Sequence, residues 1–271
     1  TYDDGTPLGS STNEEGRIDS LPQSWAVLSG AADPDRARTA LDAVWRELVD
    51  PEDMIVKLLS PPYHHTRRQP GYIKSYPPGV RENGGQYTHA AVWVGWAWAA
   101  LGDGDRATEI FRLLSPVLRS ATPDGARRYR VEPYVVAADI YGGRPHGGRG
   151  GWTWYTGSAA WLYRLATEAI LGIDFVPGGL RLRPCIPRGW PGYEIVHRSG
   201  AATYTITVEN PEMRSTGKVS LTLDGAPLPD DFLPLTDDGA RHRVRAVIGA
   251  PEEGGDPGPR TPQARATRVN R

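Results

Sequence analysis

Cysteine is almost absent from this sequence, as are long hydrophobic runs and any excess of charge of one sign. Cys185 is the single cysteine, which excludes an intrachain disulfide and a cysteine-based zinc site. One thiol suits a reducing compartment, so we expect a cytoplasmic protein. No segment approaches the roughly 20 apolar residues of a membrane span. Because the formal net charge is −1, we expect neither nucleic acid nor a membrane surface as a partner.

Phenylalanine is scarce too, with three residues against nine tryptophans and twelve tyrosines. Tryptophan and tyrosine combine a flat apolar face with a polar edge. That combination suits sugar rings, whose C–H faces stack on aromatic rings while their hydroxyl groups need hydrogen-bond partners. Core packing accounts for most aromatic residues in any protein, so the imbalance raises the expectation of a carbohydrate ligand without establishing it.

Residues 22 to about 172 carry apolar side chains at helical spacing. Asp33 and Pro34 supply an N-cap and a proline at the first position of one helix. The other predicted helices are a short one around Trp25 and Leu28, then Gly85–Leu101, Asp105–Leu114, Val131–Tyr141 and about Tyr155–Leu171. Successive helices joined by short turns predict an αα toroid, in which inner and outer helices alternate. These helices suffice for the C-terminal half of an (α/α)6 barrel, over residues 1–173.

After Gly172 the pattern changes to the two-residue period of strands. The alternating segments are Tyr204–Val208, Val219–Leu223 and His242–Ile248. Short strands at regular spacing predict a β-sandwich of jelly-roll type over residues 174–249, with Trp190 and Tyr193 near its junction with the helices. Residues 250–271 are rich in Pro, Gly, Glu and Arg and are predicted to be a disordered tail. The predicted fold class is therefore α+β, with more than one domain.

Three loop-to-helix segments combine glycines with groups that could bind a ligand. They are Arg81 to His89 (RENGGQYTH), Tyr129 to Tyr134 (YRVEPY) and Gly150 to Ala159 (GGWTWYTGSA). Glycine lets the backbone approach a ligand closely, and the N-terminus of a helix offers unpaired N–H groups to an anion such as phosphate. Each segment alone has an ordinary structural explanation, since Thr-Gly-Ser at a helix start is usually an N-cap.

Taken together, in this order and spacing, the segments resemble the inverting phosphorylases of glycoside hydrolase family 94. That family includes cellobiose and chitobiose phosphorylases, β-1,2-oligoglucan phosphorylases and the C-terminal region of cyclic β-1,2-glucan synthases. The opening run Tyr2-Asp3-Asp4-Gly5 and the run Pro22-Gln23-Ser24-Trp25 are similar to it as well, so the resemblance covers residues 1–249. The three segments are most similar to the cyclic glucan synthase branch.

The resemblance implies roles for individual residues. His89, Thr156 and Gly157 would bind phosphate, and Arg81 stands where cellobiose phosphorylases have a lysine that contacts the acceptor sugar. The full set of implied sugar contacts is Arg81, Glu82, Gln86, Tyr87, Glu132, Tyr134, Asp139 and Trp154. Cellobiose phosphorylases have a glutamine near the donor sugar where this chain has Ala138 followed by Asp139. This departure favours the β-1,2-glucan branch over a disaccharide-specific phosphorylase.

The implied reaction needs no metal and no cofactor, because inorganic phosphate is a co-substrate and acts as the nucleophile. Phosphate attacks the anomeric carbon from the face opposite the leaving sugar, so one carboxylic acid is enough. In this family the acid is an aspartate in an Asp-Trp-Asn-Asp-like motif, which this sequence does not contain. We therefore expect a chain truncated at its N-terminus, inactive alone, whose missing half is a possible separate partner.

Two other functions remain open at this stage. The chain could be a non-catalytic carbohydrate-binding remnant, which the missing acid favours and the intact phosphate motifs disfavour. It could also be a hydrolase, in which case a second carboxylate must activate water, and Glu82, Glu132 and Asp139 are the candidates. A β-glucan or oligosaccharide is the expected ligand in every case.

Overall fold

The computed structural model describes residues 1–154 and 156–250. Its α-helices are α1 (Ser20–Leu28), α2 (Pro34–Leu48), α3 (Thr88–Ala100), α4 (Gly104–Leu114), α5 (Pro116–Arg119), α6 (Pro123–Tyr129) and α7 (Thr156–Arg164). A π-helical segment, Leu165–Ile170, continues α7, and a 3-10 turn spans Tyr72–Ser75. The short strands among the helices are β1 (Ile18–Asp19), β2 (Val49–Asp50), β3 (Ile55–Val56), β4 (Leu59–Ser60), β5 (Gln86–Tyr87) and β6 (Asp139–Ile140).

Capping residues fix where the helices begin. The Asp33 side chain accepts hydrogen bonds from two backbone N–H groups in the first turn of α2, and Pro34 occupies the first helical position, as the sequence predicts. Asp103 Oδ1 caps α4 in the same way. Helix α3 packs against α1, α4 and α7 and is buried nearly all round, with Trp98 fully inaccessible. It is the central element of the helical part.

Two predicted helices are changed by strand pairing. The helix predicted over Gly85–Leu101 begins only at Thr88, because β5 is extended and pairs antiparallel with β6. The helix predicted over Val131–Tyr141 is wrong. Arg130 has a φ of 58°, which ends α6, and the following segment contains Pro133 and runs through turns into β6. Long-range partners override local helical spacing here.

The strands after residue 172 form two sheets. They are β7 (Ile173–Val176), β8 (Gly179–Leu182), β9 (Gly192–Ser199), β10 (Ala202–Glu209), β11 (Val219–Leu223), β12 (Ala226–Pro227), β13 (Phe232–Pro234) and β14 (Arg241–Ile248). One sheet has the order β12-β11-β14-β10-β9 and the other the order β13-β8-β7. Strand β10 pairs antiparallel with β9 and parallel with β14. Tyr204, Ile206 and Val208 are buried on one face of β10, which confirms the strand predicted there.

A single hydrophobic cluster joins the helices to both sheets. It includes Trp98 of α3, Leu182 of β8 and Ile206 of β10. At the junction, the Tyr193 hydroxyl donates a hydrogen bond of 2.6 Å to the Leu171 carbonyl. The helical part is therefore held against the sheets by buried apolar surface as well as by polar contacts.

The remaining sequence predictions concern the C-terminal tail, membrane-spanning helices, metal sites and the single cysteine. Of the predicted tail, residues 251–271 lie outside the described residues. Within residues 1–154 and 156–250, no helix is long and apolar enough to cross a bilayer. The same part of the chain contains no group of His, Cys, Asp and Glu side chains arranged to hold a metal ion, and Cys185 is buried.

Candidate functional site

Asn83 holds the loop that carries the first of the three segments. It is fully buried, its Oδ1 accepts a hydrogen bond from the Tyr63 N–H at 2.7 Å, and its Nδ2 donates to the Tyr63 and Tyr76 carbonyls at 2.8 Å each. A Cβ on Gly85 would come within 2.8 Å of the carbonyl oxygens of Gly79 and Arg81. Only glycine fits there, because the loop folds tightly on itself.

Arg81 and Glu82 lie within this tightly folded loop, and their side chains are mostly shielded from solvent. Arg81 has a φ of 49°, a conformation that residues with a side chain rarely adopt. Its Nε lies 3.7 Å from Glu82 Oε2, and its guanidinium lies over the rings of Tyr76 and Trp152 at 5.4 and 5.7 Å. Arg81 therefore links the first segment to the third.

His89 lies in the first turn of α3 and faces the start of α7. A Cβ on Gly157 would lie 2.9 Å from His89 Nε2, so the absence of a side chain there leaves room for the imidazole. Tyr87 stacks on the His89 ring with 5.6 Å between centroids. Burial lowers the pKa of His89, so the ring is neutral at neutral pH and donates from one nitrogen only.

Asp139 lies at the start of β6 and is 1% exposed. Its Oδ1 accepts a hydrogen bond from the Trp152 N–H at 3.0 Å, whereas its Oδ2 has no hydrogen-bond partner. Burial raises the pKa of this carboxyl group, and the Trp152 N–H and the nearby charge of Arg81 offset part of that effect. The carboxylate is thus adjacent to the site but inaccessible from its surface.

An exposed aromatic cluster lies beside these groups and is called here the aromatic platform: Tyr134, Trp152 and Trp154. Their exposed fractions are 70%, 57% and 65%, which is unusual for such large apolar rings. Trp154 has a φ of 63°, its ring lies 6.4 Å from that of Tyr134, and its Nε1 donates to Glu132 Oε1 at 3.0 Å. Glu132's own backbone N–H and this indole lower the pKa of its carboxyl group. A strained tryptophan held in the open by a carboxylate is typical of a binding surface.

The structure brings most of the predicted site residues together, with Asp139 buried beneath them and two further exceptions. Gln86 is fully buried, since its Oε1 accepts from the Val56 N–H and its Nε2 donates to Thr88 Oγ1. Its polar atoms are engaged inside the protein and none faces a ligand. The Thr156 side chain lies outside what the structure describes, so the predicted phosphate site is represented by His89 and Gly157. Trp152 was not among the predicted contacts, although its position next to Trp154 in a Gly-rich loop was a usable signal.

Four site residues have a buried polar atom without a hydrogen bond. The atoms are Arg81 Nε, Glu82 Oε2, His89 Nδ1 and Asp139 Oδ2. Buried polar atoms in native proteins are nearly always satisfied, so a concentration of unsatisfied ones needs an explanation. The arrangement offers a cation, carboxylates, an imidazole at a helix start and flat aromatic faces, which together suit a sugar and an oxyanion.

The same part of the chain matches a family model. Residues 1–172 match the model of the glycosyl hydrolase 94 superfamily, catalytic domain. The match ends where the structure changes from helices to sheets. The first strand after the helices, β7, begins at Ile173.

Curated relatives include one synthase and several phosphorylases. The cyclic beta-(1,2)-glucan synthase NdvB of Rhizobium meliloti (strain 1021) is 57% identical over 207 residues, which are 76% of this chain and 7% of that protein. An N,N'-diacetylchitobiose phosphorylase of Vibrio proteolyticus is 35% identical over 90% of this chain and 30% of its own length. A solabiose phosphorylase of Paenibacillus borealis is 33% identical over 89% and 31%. The chain therefore spans less than a third of the length of these relatives.

Proposed function

This chain belongs to the glycosyl hydrolase 94 superfamily, and on that basis we propose that it forms the phosphate and sugar subsites of an inverting glycoside phosphorylase or hexosyltransferase acting on β-1,2-glucan. The 57% identity to a cyclic beta-(1,2)-glucan synthase supports the linkage, and the phosphorylase relatives support the reaction. The observation that carries the proposal is the close approach of His89 and Gly157 next to the exposed aromatic platform.

The sugar chain lies on the aromatic platform in this proposal. The three exposed rings offer flat apolar faces for the C–H sides of glucose units, while Glu132 and the mostly shielded Arg81 and Glu82 border them with polar groups. Arg81 provides a planar fork of donors for sugar hydroxyl groups, which a lysine at this position would not. Gln86 has no direct role, because its polar atoms are engaged inside the protein.

Phosphate binds between His89 and the start of α7, where Thr156 and Gly157 contribute N–H groups. A phosphate oxygen attacks the anomeric carbon, the bond to the leaving sugar oxygen breaks, and that oxygen takes a proton from a general acid. The products are glucose 1-phosphate and a glucan shorter by one unit. Inorganic phosphate is the co-substrate, and no metal or other cofactor takes part.

The general acid comes from a segment outside these 271 residues, so the chain alone is inactive. In the same proposal residues 1–173 are half of an (α/α)6 toroid and residues 174–249 a β-sandwich packed on it. The single hydrophobic cluster that joins helices and sheets supports this packing. The site acts in the cytoplasm, and its acid comes from the rest of a longer polypeptide or from a companion chain.

The test compares the isolated chain with a chimera in which it replaces the matching segment of the Rhizobium meliloti synthase. We expect phosphate-dependent release of glucose 1-phosphate from β-1,2-glucan by the chimera and none by the chain. In the chimera, His89→Ala should raise the KM for phosphate about 10- to 100-fold, the value of one strong hydrogen bond to a charged group. Arg81→Ala should raise the KM for the glucan instead.

His197→Ala is the matched control, since His197 is also a half-buried histidine whose pKa burial lowers, but it lies on β9 in the sheets. It should leave both KM values unchanged. Glucose 1-phosphate release by the 271-residue chain alone would contradict the missing-acid argument, and Glu82, Glu132 and Asp139 would then be the acids to test.

A second candidate is a non-catalytic carbohydrate-binding remnant, which the high exposure of the aromatic platform favours. The two functions differ in their response to phosphate. A remnant binds the oligosaccharide equally well with and without phosphate, whereas a phosphorylase subsite shows coupling between the two ligands. Calorimetric titration of the oligosaccharide at zero and saturating phosphate separates them.

A further inference from the structure

We propose that Asp139 is a positioning residue, which fixes the aromatic platform from below and does not touch the sugar. The proposal rests on the proposed function in one respect, because it takes the platform to be the sugar-binding surface. The family resemblance implied a direct sugar contact for Asp139. The structure instead gives its carboxyl group no accessible surface toward the site, since the residue is 1% exposed and Oδ2 is buried.

Both the side chain and the backbone carbonyl of Asp139 accept hydrogen bonds from the Gly151–Trp152 segment. Asp139 Oδ1 accepts from the Trp152 N–H at 3.0 Å, and the Asp139 carbonyl accepts from the Gly151 N–H at 2.9 Å. The N–H of Ala138 donates to the Trp152 carbonyl at 2.7 Å. The backbone of Trp152 is therefore bound through both its N–H and its carbonyl, and the first of these bonds depends on a side chain.

Gly151 lies directly against the Asp139 carboxylate, and only a residue without a side chain fits there. A Cβ on Gly151 would overlap Asp139 Oδ2, so any larger residue would displace either the carboxylate or the loop. Ile140 and Gly150 form a β-bridge next to this contact, which aligns the loop with the end of β6. Gly150 and Gly151 allow the loop to lie close to β6, and the Asp139 carboxylate limits how closely the loop can approach.

The first segment also reaches Trp152, through Arg81. The charge of Arg81 acts favourably on Asp139, and the Arg81 guanidinium lies 5.7 Å from the centre of the Trp152 ring. The loops of Arg81 and Trp152 therefore meet at the Trp152 ring, and both contribute to the proposed sugar subsite.

A double-mutant cycle tests whether Asp139 acts through Trp152. Titration of the full chain with a β-1,2-linked glucose oligosaccharide should show Trp152→Ala lowering affinity by about two- to tenfold, the value of one aromatic contact. Asp139→Ala should lower it by a similar factor in the wild-type background and by none in the Trp152→Ala background. Asp139→Asn should restore binding, because its Oδ1 still accepts from the Trp152 N–H. Additive effects, or an Asn variant as weak as the Ala variant, would overturn the positioning role.

Hydrogen exchange separates this proposal from the proposed function. In Asp139→Ala the amide of Trp152 should exchange faster with or without sugar, and in Asp139→Asn it should keep most of its protection. Asp19→Asn is the control, because Asp19 is a half-buried carboxylate that also accepts one backbone N–H, from Leu21, but lies at the start of α1. Unchanged exchange at Trp152 in Asp139→Ala overturns the positioning role. A wild-type chain that binds no sugar, with the exchange effect present, overturns only the proposed function.

Discussion

The helical part and the sheets differ in how they treat buried polar groups. Among the described residues, every buried side-chain polar atom that lacks a hydrogen bond belongs to residues 1–172, and none belongs to residues 173–250. In the sheets, Asn210 makes three hydrogen bonds and Arg245 forms a two-pronged pair with Glu209. Unsatisfied groups cost stability, so a region that keeps them is constrained by something other than folding.

The proposed subsites account for part of that difference. Four of the eleven unsatisfied atoms of the described residues belong to Arg81, Glu82, His89 and Asp139, which surround the proposed subsites, and the other seven belong to other residues of the helical part. Ligand groups can supply the missing partners at such a place, whereas the described residues 173–250 have no buried side-chain polar atom without a hydrogen bond. Comparing matched residues in the two regions can therefore test the assignment without knowledge of the ligand.

The largest expected effect compares two asparagines with the same bonding. Asn83 and Asn210 each donate two hydrogen bonds to backbone carbonyls and accept one from a backbone N–H, and each is almost fully buried. Replacing either with alanine leaves three backbone groups unpaired and should lower the free energy of unfolding by about 2 to 4 kcal/mol. Denaturant titration measures this change.

Sugar affinity should distinguish the same two variants. Asn83→Ala releases the loop of Arg81 and should weaken oligosaccharide binding, while Asn210→Ala should leave the affinity of the folded fraction unchanged. Equal losses of affinity would mean that the sheets take part in binding, and the comparison between regions would fail.

The pH dependence of stability should differ in sign between two histidines. The Asp224 and Asp238 carboxylates raise the pKa of His242 in the sheets, so its stabilisation is present below pH 6.5 and is lost as the pH rises through the higher folded pKa. Burial lowers the pKa of His89, so protonating it destabilises the fold as the pH falls below 6.5. His242→Gln should therefore reduce stability at low pH only, and His89→Gln should increase it there.

Thermal unfolding from pH 5 to 8 measures both slopes. Adding phosphate to the wild-type chain should weaken the His89 effect, because an anion beside the ring favours its protonated form. Identical slopes for the two glutamine variants would remove the distinction between the histidines.

The smallest expected effect concerns Glu132, which is at the rim of the aromatic platform. Glu132→Ala removes the acceptor of the Trp154 Nε1–H and should lower oligosaccharide affinity by about twofold, with little change in stability because the pair is exposed. Glu132→Gln keeps an acceptor oxygen and should behave as the wild type. Glu212→Ala, which changes an exposed carboxylate in the turn between β10 and β11, is the control for both measurements.

Local signals in the sequence predicted the elements whose reasons are local. Asp33 and Pro34 define the start of α2 without distant partners, and alternation defined β10. The segment Val131–Tyr141 could not be predicted in the same way, because β6 exists only through pairing with β5, some fifty positions earlier in the chain. Its apolar residues have a spacing that fits a helix equally well.

Motif order indicated which residues lie near one another and not how deeply each is buried, and their binding roles stay predictions. Motif order identified His89, Trp154 and Glu132, which the structure brings to one surface region. Burial depends on the whole fold, so nothing in the sequence indicated that Gln86 and Asp139 would lie beneath that surface. Trp152 was missed as well, although its position next to Trp154 in a Gly-rich loop was a usable signal.

The position of β14 has a consequence for how the protein is made. This strand lies between β10 and β11, so the hairpin of β9 and β10 and the hairpin of β11 and β12 are joined only through it. During synthesis on the ribosome the helices emerge first, while the larger sheet lacks its middle strand until residue 248 has left the exit tunnel. The edges of β10 and β11 stay open during that interval and can pair with other nascent chains. Chains released by a stop codon shortly before residue 241 lack this strand and should therefore aggregate more than the full chain does.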